Sequence, residues 1–139
     1  MIQIGIIKEE KVPVDHRVPI TPAQSAQIQR DFPKARIKVQ SSSVRCYPDE
    51  DYRKEGIEIV PSVMDCDILM GVKEVPIPSL IADKTYLFFS HTIKKQIYNR
   101  NLLRAILEKN IRIIDYEALL NEHGHRIVAF GRWAGIVGA

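Results

Sequence analysis

Two short apolar runs, each followed closely by an ionisable side chain, constrain most strongly what this chain can fold into. Residues 86–89 are too few for a helix and rich in aromatic rings, which favours a strand buried on both faces, and His91 comes just after them. Residues 68–72 form a second apolar run that ends at Lys73. Ligands of open parallel sheets bind beyond the carboxyl ends of the strands, so the two runs predict one pocket that holds both side chains.

Each candidate side chain also has a plainer interpretation. A loop histidine is at least as often a solvated ring as a functional group, and a lysine at a strand end often lays its aliphatic stem on the surface while its ammonium stays in water. Arg17 precedes a predicted helix, where its guanidinium would suit a carboxylate bound near the positive helix N-terminus. An exposed loop arginine is about equally consistent with the sequence.

Strand and helix patterns alternate along the whole chain. Thr21, Pro22 and Gln24 have the spacing of a helix start with a capping box. The βαβα alternation predicts an α/β fold: a three-layer, Rossmann-like (flavodoxin-like) and mostly parallel sheet with helices on both faces. The predicted strands span 2–7, 35–40, 57–60, 67–72, 86–89, 111–114 and 126–130. The predicted helices span 22 to about 32, 48–55 and 96–109, with short helical pieces at 79–82 and 116–121 and a turn at 123–125.

Composition argues against several classes of partner. The 139 residues suffice for one core, and the formal charge of +3 comes from 20 Lys and Arg against 17 Asp and Glu that are scattered along the chain, which weighs against nucleic acid. No apolar run could span a bilayer, the N-terminus lacks a signal pattern, and Cys46 and Cys66 have no metal or redox spacing. We therefore expect a cytoplasmic protein with reduced thiols and no membrane partner.

Several short motifs resemble functional signatures without completing them. Gly135 and Gly138 do not complete a dinucleotide fingerprint, and close helix packing explains them better. His123 and His125 flank a glycine without further ligands at metal spacing, so no metal site is expected. The tail, residues 131–139, has small residues at helical spacing and ends without a cap, which predicts the start of a helix that leads into a further domain.

Five short segments occur in order over nearly the whole chain. They are RVPITP (17–22), GVKEVP (71–76), FFSHTIK (88–94), IIDYE (113–117) and RIVAFGRWAG (126–135). Together they are similar to the N-terminal domain shared by alanine dehydrogenase, nicotinamide nucleotide transhydrogenase and the saccharopine enzymes. The first two segments are typical of that superfamily, whereas the third and fifth point to its lysine 2-oxoglutarate reductase (saccharopine dehydrogenase, lysine-forming) branch.

The resemblance implies specific roles for residues in these segments. Lys73 and His91 would be the catalytic acid–base pair, and Arg17 and Arg126 would hold substrate carboxylates. The remaining substrate-binding candidates would tune the pair or contact substrate; they are Glu74, Glu117 and Lys94. Reductase domains of bifunctional enzymes carry a basic residue at the position of Glu74, which leaves the direction of the reaction open.

The resemblance also implies an activity and a division of the chain. Residues 1–130 would be the substrate-binding, catalytic domain, and residues 131–139 would lead to a Rossmann domain, outside this chain, that binds NAD or NADP. The reaction would be the reductive condensation of lysine with 2-oxoglutarate to saccharopine, or its reverse. An alanine-dehydrogenase-like amino acid dehydrogenase and a non-catalytic flavodoxin-like binding module are the alternatives.

Overall fold

The structure, a computed structural model, describes residues 1–129 and 131–138. Within these residues six strands and four α-helices alternate, with short 3₁₀ turns between them. The strands are β1 (Ile2–Ile6), β2 (Ala35–Gln40), β3 (Glu58–Val60), β4 (Ile68–Lys73), β5 (Thr85–Phe89) and β6 (Arg112–Asp115). The helices are α1 (Pro22–Asp31), α2 (Asp49–Lys54), α3 (Arg100–Glu108) and α4 (Arg132–Gly138).

All six strands lie in one parallel sheet with the order β3-β2-β1-β4-β5-β6. The register places Ile4 of β1 between Ile37 of β2 and Ile68 of β4. The strand order reverses between β1 and β4, so the following segments leave in opposite directions and a crevice opens at the carboxyl ends of these two strands. The predicted parallel α/β fold is confirmed.

Helices cover both faces of the sheet, as predicted. On one face, α1 and α2 pack against β1 and β2, and the Tyr52 hydroxyl of α2 donates a 2.8 Å hydrogen bond to the carbonyl of Ile20. On the other face, α3 packs against β4 and β5. The first core contains Ile6, Ile20, Ala26, Ile37, Val39, Tyr52 and Ile57. The second contains Val63, Cys66, Leu69, Val75, Leu80, Tyr86, Phe88, Leu102, Ala105, Ile106 and Ile111.

The predicted capping box at the start of α1 is confirmed. Thr21 Oγ1 accepts a 3.3 Å hydrogen bond from Gln24 N, and Gln24 Oε1 accepts a 3.0 Å bond from Thr21 N. Pro22 is the first helical residue, where its missing N–H costs nothing. This helix start holds the preceding loop, which carries Arg17, over the carboxyl ends of the strands.

The predicted strand at 126–130 is wrong within the described residues, and Phe130 itself lies outside them. Arg126 forms only an isolated antiparallel bridge with Leu120. Asn121 Oδ1 accepts hydrogen bonds from the backbone N–H groups of His123 and His125, which turns the chain back at the edge of the sheet instead of extending it. Arg126 and Ala129 line a cleft as a result.

Two helical predictions differ from the structure in their bounds. A 3₁₀ turn, Ile97–Asn99, precedes α3, so the regular helix begins at Arg100 and not at residue 96. The short helical piece predicted at 79–82 is a 3₁₀ turn two residues earlier, Ile77–Ser79. Pro78 lies inside this turn, where proline at an early position is compatible with a helical backbone. Among the described residues no helix has the length and apolar character needed to cross a membrane.

Candidate active site

The ends of β4 and β5 bring Lys73 and His91 to one cleft. These strands are neighbours in the sheet, Lys73 is the last residue of β4, and His91 follows the end of β5 by two residues. The cleft has a volume of about 410 Å³. Its lining residues are Arg17, Lys73, Phe89, His91, Glu117, Arg126, Ala129 and Gly131.

The backbone at His91 is held in an unusual conformation. Its φ of 56° lies in the left-handed region, which residues other than glycine adopt only where the surroundings hold them. Ser90 donates its backbone N–H to Asp115 Oδ2 at 3.1 Å, and Asn99 Nδ2 donates to the carbonyl of His91 at 3.2 Å. The imidazole stacks on the Phe89 ring with centroids 6.3 Å apart. These contacts fix the ring at the mouth of the cleft.

Glu117 connects three of the candidate side chains. Its Oε1 lies 3.1 Å from Lys94 Nζ and 3.0 Å from Arg126 Nη2, and its Oε2 lies 3.4 Å from His91 Nδ1. The glutamate side chain is only 4% exposed, whereas its partners are 27–51% exposed. A nearly buried carboxylate thus gathers the cationic and titratable groups at the rim of the cleft.

The electrostatics of Glu117 follow from these contacts. Burial opposes ionisation of the carboxyl, but the hydrogen bonds from Lys94 and His91 and the charge of Arg126 outweigh it and hold the pKa of Glu117 below its usual range. The backbone N–H of Glu117 also donates to Asp115 Oδ1 at 2.9 Å, which ties the carboxylate to the end of β6.

Arg17 lines the same cleft from the loop before α1. Its Nε lies 3.0 Å from Asp15 Oδ1 and its Nη2 lies 2.6 Å from Asp15 Oδ2. These side-chain hydrogen bonds lower the pKa of Asp15 and raise that of Arg17. Sequence reasoning did not single out Asp15, although an acidic residue two positions before the arginine was a visible signal.

Glu74 does not line this cleft. It lies in a neighbouring pocket of about 170 Å³, near Glu9 and Glu10, and forms an ion pair with Lys11. Lys73 lines both the pocket and the cleft. The structure therefore brings Arg17, Lys73, His91, Glu117 and Arg126 into one cleft, places Lys94 beside them through Glu117, and separates Glu74 from this group.

Glu9 is a further residue that sequence reasoning missed. Its carboxylate accepts hydrogen bonds from the backbone N–H groups of Val72 and Lys73, at 2.6 and 3.0 Å. Burial raises the pKa of Glu9, although these two hydrogen bonds oppose that shift. The sequence offers no signal for this contact, because it joins residues more than sixty positions apart.

The crevice between β1 and β4 does not fit a dinucleotide. In nucleotide-binding Rossmann domains a glycine-rich turn after the first strand lets backbone N–H groups approach the pyrophosphate. Here the residues after β1 are Ile7, Lys8, Glu9 and Glu10, none of them glycine, and the Glu9 carboxylate binds the backbone N–H groups at the end of β4. Its negative charge would repel a phosphate. The residues of 1–129 and 131–138 also contain no group of three or more His, Cys, Asp or Glu side chains that could hold a metal.

Comparison with known proteins gives relatives for nearly the whole chain. The mitochondrial alpha-aminoadipic semialdehyde synthase of Mus musculus is 40% identical over 124 residues, which are 89% of this chain and 13% of the relative. The saccharopine dehydrogenase (NAD(+), L-lysine-forming) of Neurospora crassa is 29% identical over 138 residues, 96% of this chain and 37% of the relative. This chain therefore spans a minor part of each relative's length.

Solved structures and family models agree with these relatives. An L-alanine dehydrogenase structure superposes with a TM-score of 0.72 at 19% identity, covering 89% of this chain and 35% of that one, which shows the shared fold. Residues 5–137 match the family model described as "Alanine dehydrogenase/PNT, N-terminal domain". Since the matched residues run over almost the whole chain, the chain belongs to the alanine dehydrogenase/PNT N-terminal domain family.

Proposed function

We propose that this chain is the substrate-binding, catalytic N-terminal domain of an NAD(P)-dependent saccharopine dehydrogenase or lysine 2-oxoglutarate reductase. Residues 1–130 would form that domain, and residues 131–139 would lead to the domain that binds the coenzyme. The observation that carries the proposal is the cleft in which two arginines, a lysine, a histidine and a buried glutamate converge. The names of the mouse and Neurospora relatives support the lysine branch of the family.

The charges in the cleft suit an acidic substrate. Saccharopine has three carboxylates, and a guanidinium binds a carboxylate through two parallel charge-assisted hydrogen bonds. Arg17 and Arg126 are about half exposed at the cleft, so their guanidiniums are accessible to a substrate carboxylate. Lys94 adds a third positive charge beside Glu117. Glu117 in turn gives the site one carboxylate that could face a substrate ammonium.

The proposed reaction needs proton transfers at two substrate atoms. Lysine and 2-oxoglutarate condense through a carbinolamine to an imine, which requires protons to be moved at the amine nitrogen and at the departing oxygen. A general acid and a general base must both lie within reach of these atoms. Lys73 and His91 are the titratable pair in the cleft that could serve, and the Glu117 contact orients the imidazole through Nδ1.

Two finer assignments stay predictions. Because the crevice of this chain does not fit a dinucleotide, we expect residues outside this chain to decide between NAD and NADP. The compartment is likewise a prediction, because the sequence pattern favours the cytoplasm whereas the mouse relative is named a mitochondrial protein.

An enzyme assay of the complete gene product that contains this chain tests the proposal. We expect oxidation of NADH or NADPH that depends on both lysine and 2-oxoglutarate, and a product with the mass of saccharopine. Oxidation with pyruvate and ammonium instead would establish the alanine-dehydrogenase-like alternative. Failure of every amino acid and 2-oxo acid pair, together with binding of saccharopine to the chain, would indicate a non-catalytic binding module.

A further inference from the structure

The last residues of β4 do not continue as a regular strand. Up to Met70, β4 pairs residue for residue with β5, and Met70 lies opposite Leu87. Lys73, however, lies opposite Phe89, so three steps along β4 match two steps along β5. One extra residue in one strand is a β-bulge, a feature that often occurs next to active sites and redirects a side chain.

A single carboxylate binds the two backbone donors at this bulge. Val72 N lies 2.6 Å from Glu9 Oε1, and Lys73 N lies 3.0 Å from Glu9 Oε2. Successive N–H groups of a regular strand point to opposite neighbours, so two adjacent N–H groups can reach one carboxylate only where the strand is distorted. The Ile7 N–H donates to the Met70 carbonyl at 2.9 Å, and the Glu9 side chain continues this hydrogen bonding where β1 has ended.

Gly71 allows the carboxylate to approach β4. A Cβ atom on this glycine would lie 2.8 Å from Ile7 Cδ1 and 3.2 Å from Glu9 Oε1. The first contact is with the end of the flexible Ile7 side chain, which can rotate aside, whereas the second requires the Glu9 carboxylate to shift by a few tenths of an ångström. The absence of a side chain at position 71 is therefore part of the same arrangement.

We infer that Glu9 is a positioning residue for Lys73, which it directs into the cleft by holding the bulge in β4. In an unbulged strand Lys73 would lie opposite Ser90, and its side chain would share the face of Leu69, because side chains alternate along a strand. With the bulge Lys73 pairs with Phe89, and it lines the cleft with His91 as well as the pocket that Leu69 lines. The inference rests on the proposed function, since it gives Lys73 a role in proton transfer.

The chain itself provides a test that does not depend on activity. We expect NMR spectra of the wild-type chain to show nuclear Overhauser effects between the Lys73 side chain and the Phe89 ring. Glu9→Gln should weaken them and shift the amide proton signals of Val72 and Lys73 upfield. Gly71→Ala, which crowds the same carboxylate, should cause smaller changes of the same kind while Glu9 is present. Glu10→Gln is the matched control and should change neither measurement, because Glu10 contacts Lys8 and Ser79 and not β4.

Steady-state kinetics of the complete gene product give the functional measurement. We expect Glu9→Gln to lower kcat roughly 10- to 100-fold, with KM values little changed, since small misplacements of a reacting group have effects of this order. A variant that keeps wild-type Lys73–Phe89 contacts, or one that loses them and keeps wild-type kcat, would overturn the inference. If the wild-type enzyme does not use lysine and 2-oxoglutarate, the proposed function fails, and the NMR result still decides whether Glu9 positions Lys73.

Discussion

Arg126 Nη2 lies 3.0 Å from Oε1 of Glu117, so the arginine that the family resemblance assigns to a substrate carboxylate already contacts a carboxylate of the protein. Arg17 likewise contacts a carboxylate of the protein, because its Nη2 lies 2.6 Å from Asp15 Oδ2. Ion pairs with partly exposed members contribute little net free energy. A substrate carboxylate can therefore share or exchange these guanidiniums at small cost, while the pairs keep the arginines oriented toward the cleft.

The depressed pKa of Glu117 predicts how stability depends on pH. A carboxyl group whose pKa is lower in the folded than in the unfolded chain stabilises the fold above its unfolded value, about 4.3 for glutamate. That contribution is lost as the pH falls through the folded value. We expect Glu117→Gln to lower the free energy of unfolding by about 1 kcal/mol at pH 7, since its partners are partly exposed, and by less at pH 3.5.

Urea unfolding at the two pH values measures this difference. Glu108→Gln, an exposed substitution at the end of α3, is the matched control and should change stability by less than about 0.5 kcal/mol at either pH. An equal loss at pH 7 and pH 3.5 in the Glu117 variant would show that packing, and not charge, explains its effect.

Loss of the Arg17 guanidinium is expected to weaken substrate binding. Arg17→Ala should cost about 1.5–3 kcal/mol of binding free energy if the side chain forms a charge-assisted hydrogen bond with a carboxylate. That corresponds to a dissociation or Michaelis constant raised roughly 10- to 150-fold. Titration calorimetry with saccharopine measures it, and Arg53→Ala, on the exposed side of α2, is the control. Unchanged constants for every substrate would remove Arg17 from the binding site.

Replacement of the proposed acid–base pair should affect the rate far more than the fold. In the complete gene product, Lys73→Met and His91→Gln should each lower kcat by roughly 10²–10⁴-fold and remove one limb of the pH–rate profile. Both side chains lie at strand ends on the cleft, so melting temperatures should stay close to wild type. His123→Gln, an exposed turn substitution, is the control. Wild-type kcat and pH profiles in both variants would rule out this mechanism.

A substitution in β1 tests the packing of the sheet against the loop before β4. A Cβ atom on Gly5 would lie 2.7 Å from Val63 Cβ and 3.1 Å from Cys66 Sγ, both in the buried core. Gly5→Ala should therefore destabilise the chain by about 1–3 kcal/mol through overpacking. Gly135→Ala is the control, because a Cβ on this helical residue meets nothing within 4 Å and alanine favours helix. Comparable denaturant midpoints for the two variants would contradict the close packing of Gly5 against Val63 and Cys66.

The chain by itself is expected not to bind a nicotinamide dinucleotide. The turn after β1 carries the Glu9 and Glu10 side chains, Glu9 binds the backbone N–H groups at the end of β4, and no glycine-rich phosphate loop follows β1. Calorimetric titration with NADH and NADPH tests this, with saccharopine as the positive comparison. Micromolar binding of either dinucleotide would contradict both the misfit of the β1–β4 crevice and the proposed division into domains.

Local sequence patterns were enough to predict the order of most elements and the two strand ends that carry Lys73 and His91. The apolar runs at 68–72 and 86–89 favour buried strands, and the Thr21–Gln24 capping box favours a helix start, because these patterns depend on neighbouring residues alone. The five short segments between residues 17 and 135 likewise pointed to the family, which the match over residues 5–137 confirms. Lys73 and His91 were expected in one pocket because each follows an apolar run, and the carboxyl ends of parallel strands lie at one edge of the sheet.

The partners of the side chains at that pocket, in contrast, depend on the tertiary fold. Glu117 reaches Lys94, His91 and Arg126 through strand order, and Glu9 reaches β4 across more than sixty residues, so no local pattern predicts either contact. No local pattern predicts that Glu74 lies outside the cleft either, although Glu74 is adjacent to Lys73 in sequence. Side chains of adjacent residues point to different sides at a strand end, and the bulge in β4 decides which one faces the cleft.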